Sequence, residues 1–242
     1  MLAYITKDKY FAWIEQYASM RTGYASASVH NLKDIQDHYA ISRLSRPEKL
    51  RVLEVGGGDC RVLRDFSAHH ECWNAERFLG DGLGPKSEIR LPGVRNVFVH
   101  LGEFSEQLPA SYFDIVFSVS VVEHIENDNL SAFFRDIARV MKPGALTFHA
   151  IDLYVFDHDR LQESVAKYSA VRLNRYLQVP ELTQGSLRFI QEPQVSQLPL
   201  FSCAYATNSD REMLAWNRYA PQLKAIRSVA QSVSLAGEWL KA

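Results

Sequence analysis

The sequence predicts an α/β fold with a doubly wound, mostly parallel sheet and helices on both faces. Two observations support this class. Between residues 51 and 152, apolar runs typical of buried strands alternate with segments whose apolar residues recur at helical spacing. The run 113–122 also shows little polar alternation, which is typical of a strand buried on both faces. Ligands of such sheets lie beyond the carboxyl ends of the strands, near the point where strand order reverses.

The N-terminal residues 1–50 are expected to form a helical extension. Apolar side chains recur at helical spacing over 10–17 and again from about 31 to 44. The sheet then begins with a strand at 51–55, a glycine turn and a short helix. A second strand is predicted from 71 to 76, a loop at 79–85 and a short third strand at 97–100.

The second half of the sheet begins with the strand at 113–122. A helix is predicted over 130–141, ended by Lys142-Pro143-Gly144, and a strand over 145–151. Beyond residue 152 the pattern predicts a C-terminal segment of helices and strands. Its helices are expected at 159–173, 210–219 and 221–233, and its strands at 187–190 and 200–207.

The bulk composition limits the classes of partner. A formal net charge of −1 gives no general attraction to nucleic acid or anionic lipid. No apolar run approaches the roughly 18 residues of a membrane span, and the N-terminus lacks the order of a signal peptide. The three dispersed cysteines fit neither a disulfide framework nor a zinc site. We therefore expect a cytoplasmic protein with no membrane segment and no nucleic-acid partner.

The strongest motif is Glu54-Val-Gly-Gly-Gly58, directly after the first strand. Gly56, Gly57 and Gly58 allow a ligand to approach bare backbone at the start of a helix. Arg61 stands where a dinucleotide fingerprint needs a small residue, and the Gly-Lys-Ser/Thr of a phosphate loop is absent.

A second acid follows at the end of the next strand. Glu76 lies 22 positions after Glu54 (76 − 54), close to the spacing of about 20 residues at which an acid binds ribose hydroxyls in dinucleotide folds. Asp81 is the alternative for the same role.

Four blocks in order resemble the class I S-adenosylmethionine-dependent methyltransferases, a Rossmann-like family, and within it the type 11 or ubiquinone-biosynthesis-like subgroup. They are residues 51–58, 113–118, 122–125 and 139–144, so the resemblance covers about 50–152. It implies that S-adenosylmethionine is the cofactor and that 51–152 is its binding core within a single domain. Residues 1–50 then form a cap, and 153–242 form the segment on the acceptor side.

The resemblance also implies roles for single residues. Glu54 matches the first-motif acid, and the glycines pass beneath the methionine part of the cofactor. Glu76 matches the acid that binds the ribose. Further positions implied to contact the cofactor are Gly102, Glu103 and Phe104 near the adenine, and Ser118 at the end of the fourth strand. The sequence departs from the family pattern at Cys60, where a third glycine is usual, and at Glu103, where Asp is commoner.

The catalytic candidates are His124, Asp152 and His158. His124 belongs to the Glu-His block, although a helix-entry histidine bonded to backbone explains it equally well. Asp152 and His158 are candidate general bases. With His149, Asp157 and Asp159 they also form a dense polar group that suits a divalent cation, against the simpler alternative of strand and helix-cap residues.

The sequence thus predicts methyl transfer to a small-molecule or glycan-like acceptor, with oxygen favoured because the C-terminal half is polar. Two alternatives stay open: a non-catalytic protein that binds the cofactor, and a nicotinamide-dependent oxidoreductase on a similar sheet. The oligomeric state is not predicted.

Overall fold

A computed structural model describes residues 1–20, 32–80, 84–157, 163–195, 199–207 and 229–242. The strands are β1 (Leu2–Tyr4), β2 (Arg51–Val55), β3 (Glu71–Ala75), β4 (Val94–Val97), β5 (Phe113–Val119), β6 (Met141–Phe156), β7 (Leu187–Phe189) and β8 (Ala230–Lys241). The helices are α1 (Lys7–Gln16), α2 (Leu32–Leu44), α3 (Leu63–Phe66), α4 (Asn127–Val140), α5 (Glu163–Leu177) and α6 (Val179–Leu182). Short 3-10 turns lie at Ala18–Met20 and Val122–His124.

The described strands form one sheet in the order β1-β8-β6-β5-β2-β3-β4, and β7 also pairs with β8. Strands β2 to β6 run parallel, whereas β8 is antiparallel to β6, β1 and β7. The chain moves outward from β2 through β3 and β4, then returns to β5 on the other side of β2. Strand order therefore reverses between β2 and β5, which is where a doubly wound sheet binds ligands.

Each face of the sheet buries a separate apolar cluster. Val52 packs with α2 and α3 in one cluster, and its neighbour Leu53 packs with α4 and α5 in the other. Successive side chains of a strand point to opposite faces, so a continuous apolar run serves both layers. The predicted α/β fold with helices on both faces is confirmed.

Several predicted boundaries were wrong at the edges of the sheet. The third strand of the core is Val94–Val97 and not 97–100, because Arg95 and Asn96 lie in an edge strand whose partly exposed positions accept polar residues. The second strand ends at Ala75, one residue before Glu76. Residues 200–207 make isolated bridges and no continuous strand.

The two ends of the chain differ most from the prediction. Residues 2–4, expected in a helical extension, form β1 in the sheet. The helix predicted over 221–233 is wrong for its described part, since residues 230–233 begin β8. The helix predicted at 210–219 lies outside the described residues. Across the part of the chain that the structure describes, no helix is long and apolar enough to cross a membrane.

Candidate functional site

The glycine turn after β2 packs tightly against its neighbours. Gly56 and Gly58 have φ values of +64° and +55°. A Cβ at Gly56 would lie 2.8 Å from Val121 Cγ2, and one at Gly57 would lie 2.7 Å from Glu54 Cδ. The Gly57 N–H donates to Asn74 Oδ1 at 3.2 Å. Side chains at 56 and 57 would therefore displace the turn, whose backbone forms the surface beyond β2.

Cys60, the residue that replaces the usual third glycine, also has a positive φ, of +50°. A non-glycine residue rarely adopts this conformation. Its side chain is buried, and burial raises the pKa of its thiol. The backbone thus keeps the glycine-like conformation despite the substitution.

Glu54 is a buried acid beside this turn. It is 3% exposed, and its Oε2 atom has no hydrogen-bond partner among the described residues. Burial raises the pKa of Glu54 to about 8, opposed by nearby Arg61 and reinforced by Asp37 and Asp59. A cationic amino group next to Glu54 would satisfy the Oε2 atom and stabilise the charged carboxylate. The residues present therefore fit the amino-acid end of S-adenosylmethionine.

An ion pair that the sequence did not reveal fixes the end of the turn. Arg61 Nε lies 3.1 Å from Asp37 Oδ2, and Arg61 Nη2 lies 3.2 Å from Asp37 Oδ1. The Asp37 side chain is 1% exposed. This bidentate pair joins α2 to the glycine turn and holds a large cation where a dinucleotide fold needs a small residue.

Glu76 directly follows β3 and is partly exposed. Its backbone N–H donates to the Val97 carbonyl at 3.0 Å, which holds it at the carboxyl end of the sheet. Its Oε1 atom accepts the Phe78 N–H at 2.9 Å. The alternative ribose ligand, Asp81, lies outside the described residues.

The loop of Gly102, Glu103 and Phe104 is held by a buried acid of α4. Asp136 Oδ2 accepts the N–H groups of Gly102 at 2.8 Å and of Phe104 at 3.0 Å. Phe104 is 43% exposed. Glu103 is exposed and pairs with Arg77 Nη1 at 3.1 Å, so an adenine contact by its carboxylate would compete with this ion pair.

Ser118 lies inside the sheet. It is fully buried, and its hydroxyl lies 2.8 Å from His149 Nδ1, while His149 Nε2 lies 2.9 Å from Thr147 Oγ1. Burial lowers the pKa of His149 to about 3, so this histidine is neutral. Since the Ser118 hydroxyl is engaged here, a cofactor contact at this position would involve its backbone.

Two of the side chains predicted to bind a divalent cation lie on opposite faces of the sheet. His149 contacts Phe134 and Trp239 on one face, whereas Asp152 contacts Gln36 of α2 on the other. Three positions along a strand separate them, which places their side chains on opposite faces. Within the described ranges, no group of three His, Cys, Asp or Glu side chains suits a metal ion. Asp159 and His158 lie outside those ranges, so the catalytic role of His158 stays a prediction.

The other two catalytic candidates lie at the carboxyl ends of β5 and β6. Asp152 Oδ1 accepts the Gln36 amide at 2.6 Å and lies 2.7 Å from Ser120 Oγ. The His124 side chain is 71% exposed, and its Nε2 atom lies 4.0 Å from Glu123 Oε1. Glu123 itself is buried, although the sequence analysis treated it only as part of a motif.

Polar side chains on the buried faces of helices are a sequence signal for contacts of this site. Gln36 and Asp37 lie on the buried side of α2, and Asp136 lies on the buried side of α4. Buried polar groups need partners, so each of them indicated a contact to another part of the chain.

Comparison with known proteins agrees with this arrangement. Residues 53–148 match the family model described as a methyltransferase domain. No curated protein matches the sequence significantly. A phosphoethanolamine N-methyltransferase 2 of Haemonchus contortus, solved with S-adenosyl-L-methionine, has the same fold at 14% identity and a TM-score of 0.51. That comparison covers 98% of this chain and 57% of the Haemonchus chain, so the present chain spans little more than half of that protein.

Two further solved structures are similar. The same Haemonchus enzyme with phosphomonomethylethanolamine and S-adenosylhomocysteine matches at 14% identity and a TM-score of 0.50, over 97% of this chain and 58% of that one. The YcgJ protein of Bacillus subtilis matches at 15% identity and a TM-score of 0.48, over 85% of this chain and 97% of that one.

Proposed function

We propose that this chain, which its methyltransferase domain identifies as a class I S-adenosylmethionine-dependent methyltransferase, methylates a small-molecule acceptor held at the carboxyl ends of β5 and β6. The observation that carries the proposal is the buried Glu54 Oε2 atom beside a tightly packed glycine turn, because no described residue donates a hydrogen bond to it. A nucleotide with a cationic amino-acid end suits that position.

In this proposal the glycine turn, Glu54 and Glu76 each bind a different part of the cofactor. Glu54 takes the amino group, and the backbone of Gly56 to Gly58 lies beneath the methionine part. Glu76 takes the ribose: its Oε1 atom already accepts one N–H, and Oε2 offers a second acceptor for a hydroxyl. Phe104, which is partly exposed, offers an aromatic face for the adenine.

When bound, the cofactor supplies a methyl group on a positively charged sulfur, which is already a good leaving group. The protein's tasks are then to align the acceptor, to exclude water and to take up a proton where the acceptor carries one. Asp152 is the described catalytic candidate best placed to take a proton, because it lies in β6 two residues beyond the last pair with β5 and is held there by Gln36 and Ser120.

The class of acceptor follows from charge. The formal net charge of −1 gives no general attraction to nucleic acid, which supports a small molecule. The polar C-terminal half of the sequence favours oxygen as the atom that is methylated. Its segment richest in polar and aromatic residues, 205–219, is described only over 205–207. The described residues that bear on the acceptor atom are therefore those near the carboxyl ends of β5 and β6.

Calorimetric titration tests the proposal and separates it from the two alternatives. We expect heat from S-adenosylhomocysteine and S-adenosylmethionine and none from NAD. Binding of NAD alone would replace the proposal by the oxidoreductase, which the Arg61–Asp37 pair disfavours. Binding of the sulfur ligands without transfer to any acceptor of a broad panel would favour a non-catalytic protein.

A further inference from the structure

A second buried acid lies in the turn that follows β5. Glu123 belongs to the 3-10 turn Val122–His124 and is 3% exposed. Neither of its carboxylate oxygens has a hydrogen-bond donor within bonding distance among the described residues. Buried acceptor atoms without donors are costly, so a ligand that brings N–H donors to these oxygens would be favoured.

The neighbour of Glu123 is another acid. Burial, followed by the negative charge of Asp152 in β6, raises the pKa of Glu123 well above its usual value. Lys33 of α2 opposes this shift. His124 Nε2 lies 4.0 Å from Glu123 Oε1.

The cations of α5 mainly hold the backbone of this turn. Arg172 donates to the Glu123 carbonyl, and Arg175 donates to the carbonyls of Val122 and Ile125 at 2.9 Å each. The Tyr176 hydroxyl accepts a bond from Arg175 at 2.9 Å. These contacts fix the position of the turn through its backbone carbonyls.

Asp152 belongs to a hydrogen-bond network that joins β6 to α2. The Gln36 amide donates to Asp152 Oδ1 at 2.6 Å. The Ser120 hydroxyl lies 2.8 Å from Gln36 Oε1 and 2.7 Å from Asp152 Oδ1, and its single proton serves one of these two oxygens at a time. The network therefore fixes the position of the Asp152 carboxyl group.

The turn that carries Glu123 begins beside the glycine turn that we propose binds the cofactor. Val121, which precedes this turn by one residue, packs against Gly56 so closely that a Cβ there would lie 2.8 Å from Val121 Cγ2. Strands β5 and β6 are adjacent and parallel, so their carboxyl ends meet at the same edge of the sheet as the glycine turn. An acceptor atom at this edge would be close to the methyl donor.

We propose that Glu123 and Asp152 form an acceptor subsite for an aliphatic amine, so that the protein methylates nitrogen. The inference rests on the proposed function. An ammonium group supplies three N–H donors and a positive charge. The donors can bond to the Glu123 oxygens, and the charge can balance the two adjacent acids. A hydroxyl supplies one donor and no charge.

In the proposed methyl transfer, the acid pair takes up the proton that the amine loses. One N–H bond of the ammonium breaks, and its proton moves to the acid pair. The nitrogen lone pair then forms the N–CH₃ bond, while the electrons of the broken S–CH₃ bond remain on sulfur. The product amine becomes positively charged again and stays beside the acids.

Binding to the protein saturated with S-adenosylhomocysteine tests the subsite without relying on turnover. The probes are primary and secondary amines, each matched by the alcohol of the same carbon skeleton. We expect the amines to raise the melting temperature and the alcohols to leave it unchanged. In Glu123→Gln and Asp152→Asn, amine affinity should fall at least about tenfold. Affinity for S-adenosylhomocysteine should be unchanged in both variants.

Glu126→Gln is the matched control, since Glu126 is an exposed acid three residues along the chain whose side chain caps nothing. It should bind amines as the natural protein does. Glu123→Gln should also fold well, because burial and the charge of Asp152 already disfavour the ionised form of Glu123, and a neutral amide of similar size avoids that cost.

Three results would overturn the subsite: alcohols that bind as tightly as their amines, an amine response that survives in Glu123→Gln, or no response to any amine. Failure of S-adenosylhomocysteine itself to bind would instead refute the proposed function. If S-adenosylhomocysteine does not bind, the amine series is repeated on the ligand-free protein. Failure of the amine subsite is then distinguished from failure of the cofactor site.

Discussion

Two parts of the carboxyl edge of the sheet, the glycine-turn edge and the β5–β6 edge, differ in the charges beside their buried acids. The glycine-turn edge comprises residues 54–61 and Glu76, and its buried acid, Glu54, has the cation Arg61 as a neighbour. The β5–β6 edge comprises Gln36, Ser120, Glu123 and Asp152, and its buried acid has another acid as a neighbour. The first edge arises almost entirely from one strand and its turn. The second combines a helix and two strand ends from distant parts of the chain.

The contrast teaches why one edge is recognisable in the sequence and the other is not. A strand, an acid and three glycines in succession define the first edge by local geometry. The second depends on α2 crossing the sheet so that Gln36 meets Asp152, 116 positions away. Four substitutions test this comparison at the glycine-turn edge.

The largest effect is expected from Gly56→Val. Its Cβ would lie 2.8 Å from Val121 Cγ2, and a β-branched residue strongly resists a φ of +64°. We expect calorimetry to detect no binding of S-adenosylhomocysteine, with circular dichroism confirming a folded chain. Gly144→Ala is the control, because Gly144 has a φ of +75° but no atom within 4 Å of an added Cβ. A folded Gly56→Val that binds normally would show that the turn does not lie beneath the ligand.

Glu54→Gln should change how stability depends on pH. Below pH 4.5 the acid is protonated in both the folded and unfolded states, so the substitution has little effect. As pH rises toward the folded pKa of about 8, the unfolded state alone ionises, and the natural protein loses about 1.4 kcal/mol per pH unit. Urea denaturation of the ligand-free protein should therefore find the variant about 3 kcal/mol more stable at pH 7.

The same variant should bind S-adenosylhomocysteine more weakly, because an amide carries no charge to pair with the ligand's ammonium group. Equal stability of the two proteins at pH 7 would mean that Glu54 is ionised in the ligand-free protein and already has a counter-ion. Asp59→Asn, at a partly exposed acid nearby, serves as the control for a general charge effect.

Arg61→Leu should destabilise the protein by about 2–4 kcal/mol, because it leaves Asp37 buried without its cation. Urea denaturation measures the loss. Arg46→Leu removes the exposed pair with Glu48 and should change stability by less than about 1 kcal/mol. Similar values for the two variants would indicate that the α2–turn pair contributes no more than a surface ion pair.

The smallest effect is expected from Glu76→Ala. Loss of two hydrogen bonds from ribose hydroxyls should weaken binding of S-adenosylhomocysteine by about 1.5–3 kcal/mol, or roughly 10- to 150-fold. Glu76→Gln keeps an oxygen that can accept the Phe78 N–H and should lose less. Unchanged affinity in calorimetry would transfer the ribose role to Asp81.

The sequence was informative where function depends on consecutive residues. The parallel core, the glycine turn and the positions of Glu54 and Glu76 followed from periodicity and spacing, because a buried parallel strand must be apolar and a close turn must be glycine. Predictions failed where pairing is non-local. Nothing in residues 2–4 or 230–241 specifies that both segments enter the sheet, since antiparallel partners more than 200 positions apart are selected by packing.

By itself, then, the sequence determined a strand, a glycine turn and an acid, the arrangement that we propose binds the methyl donor. Tertiary structure alone decided the surroundings of the side chains near that turn. It placed Arg61 on Asp37 and engaged Ser118 with His149 inside the sheet. It also left Glu123 buried beside Asp152. The physical reason is that burial and the charge of a neighbour set the chemistry of a carboxyl group, and both depend on the packing of segments far apart in the chain.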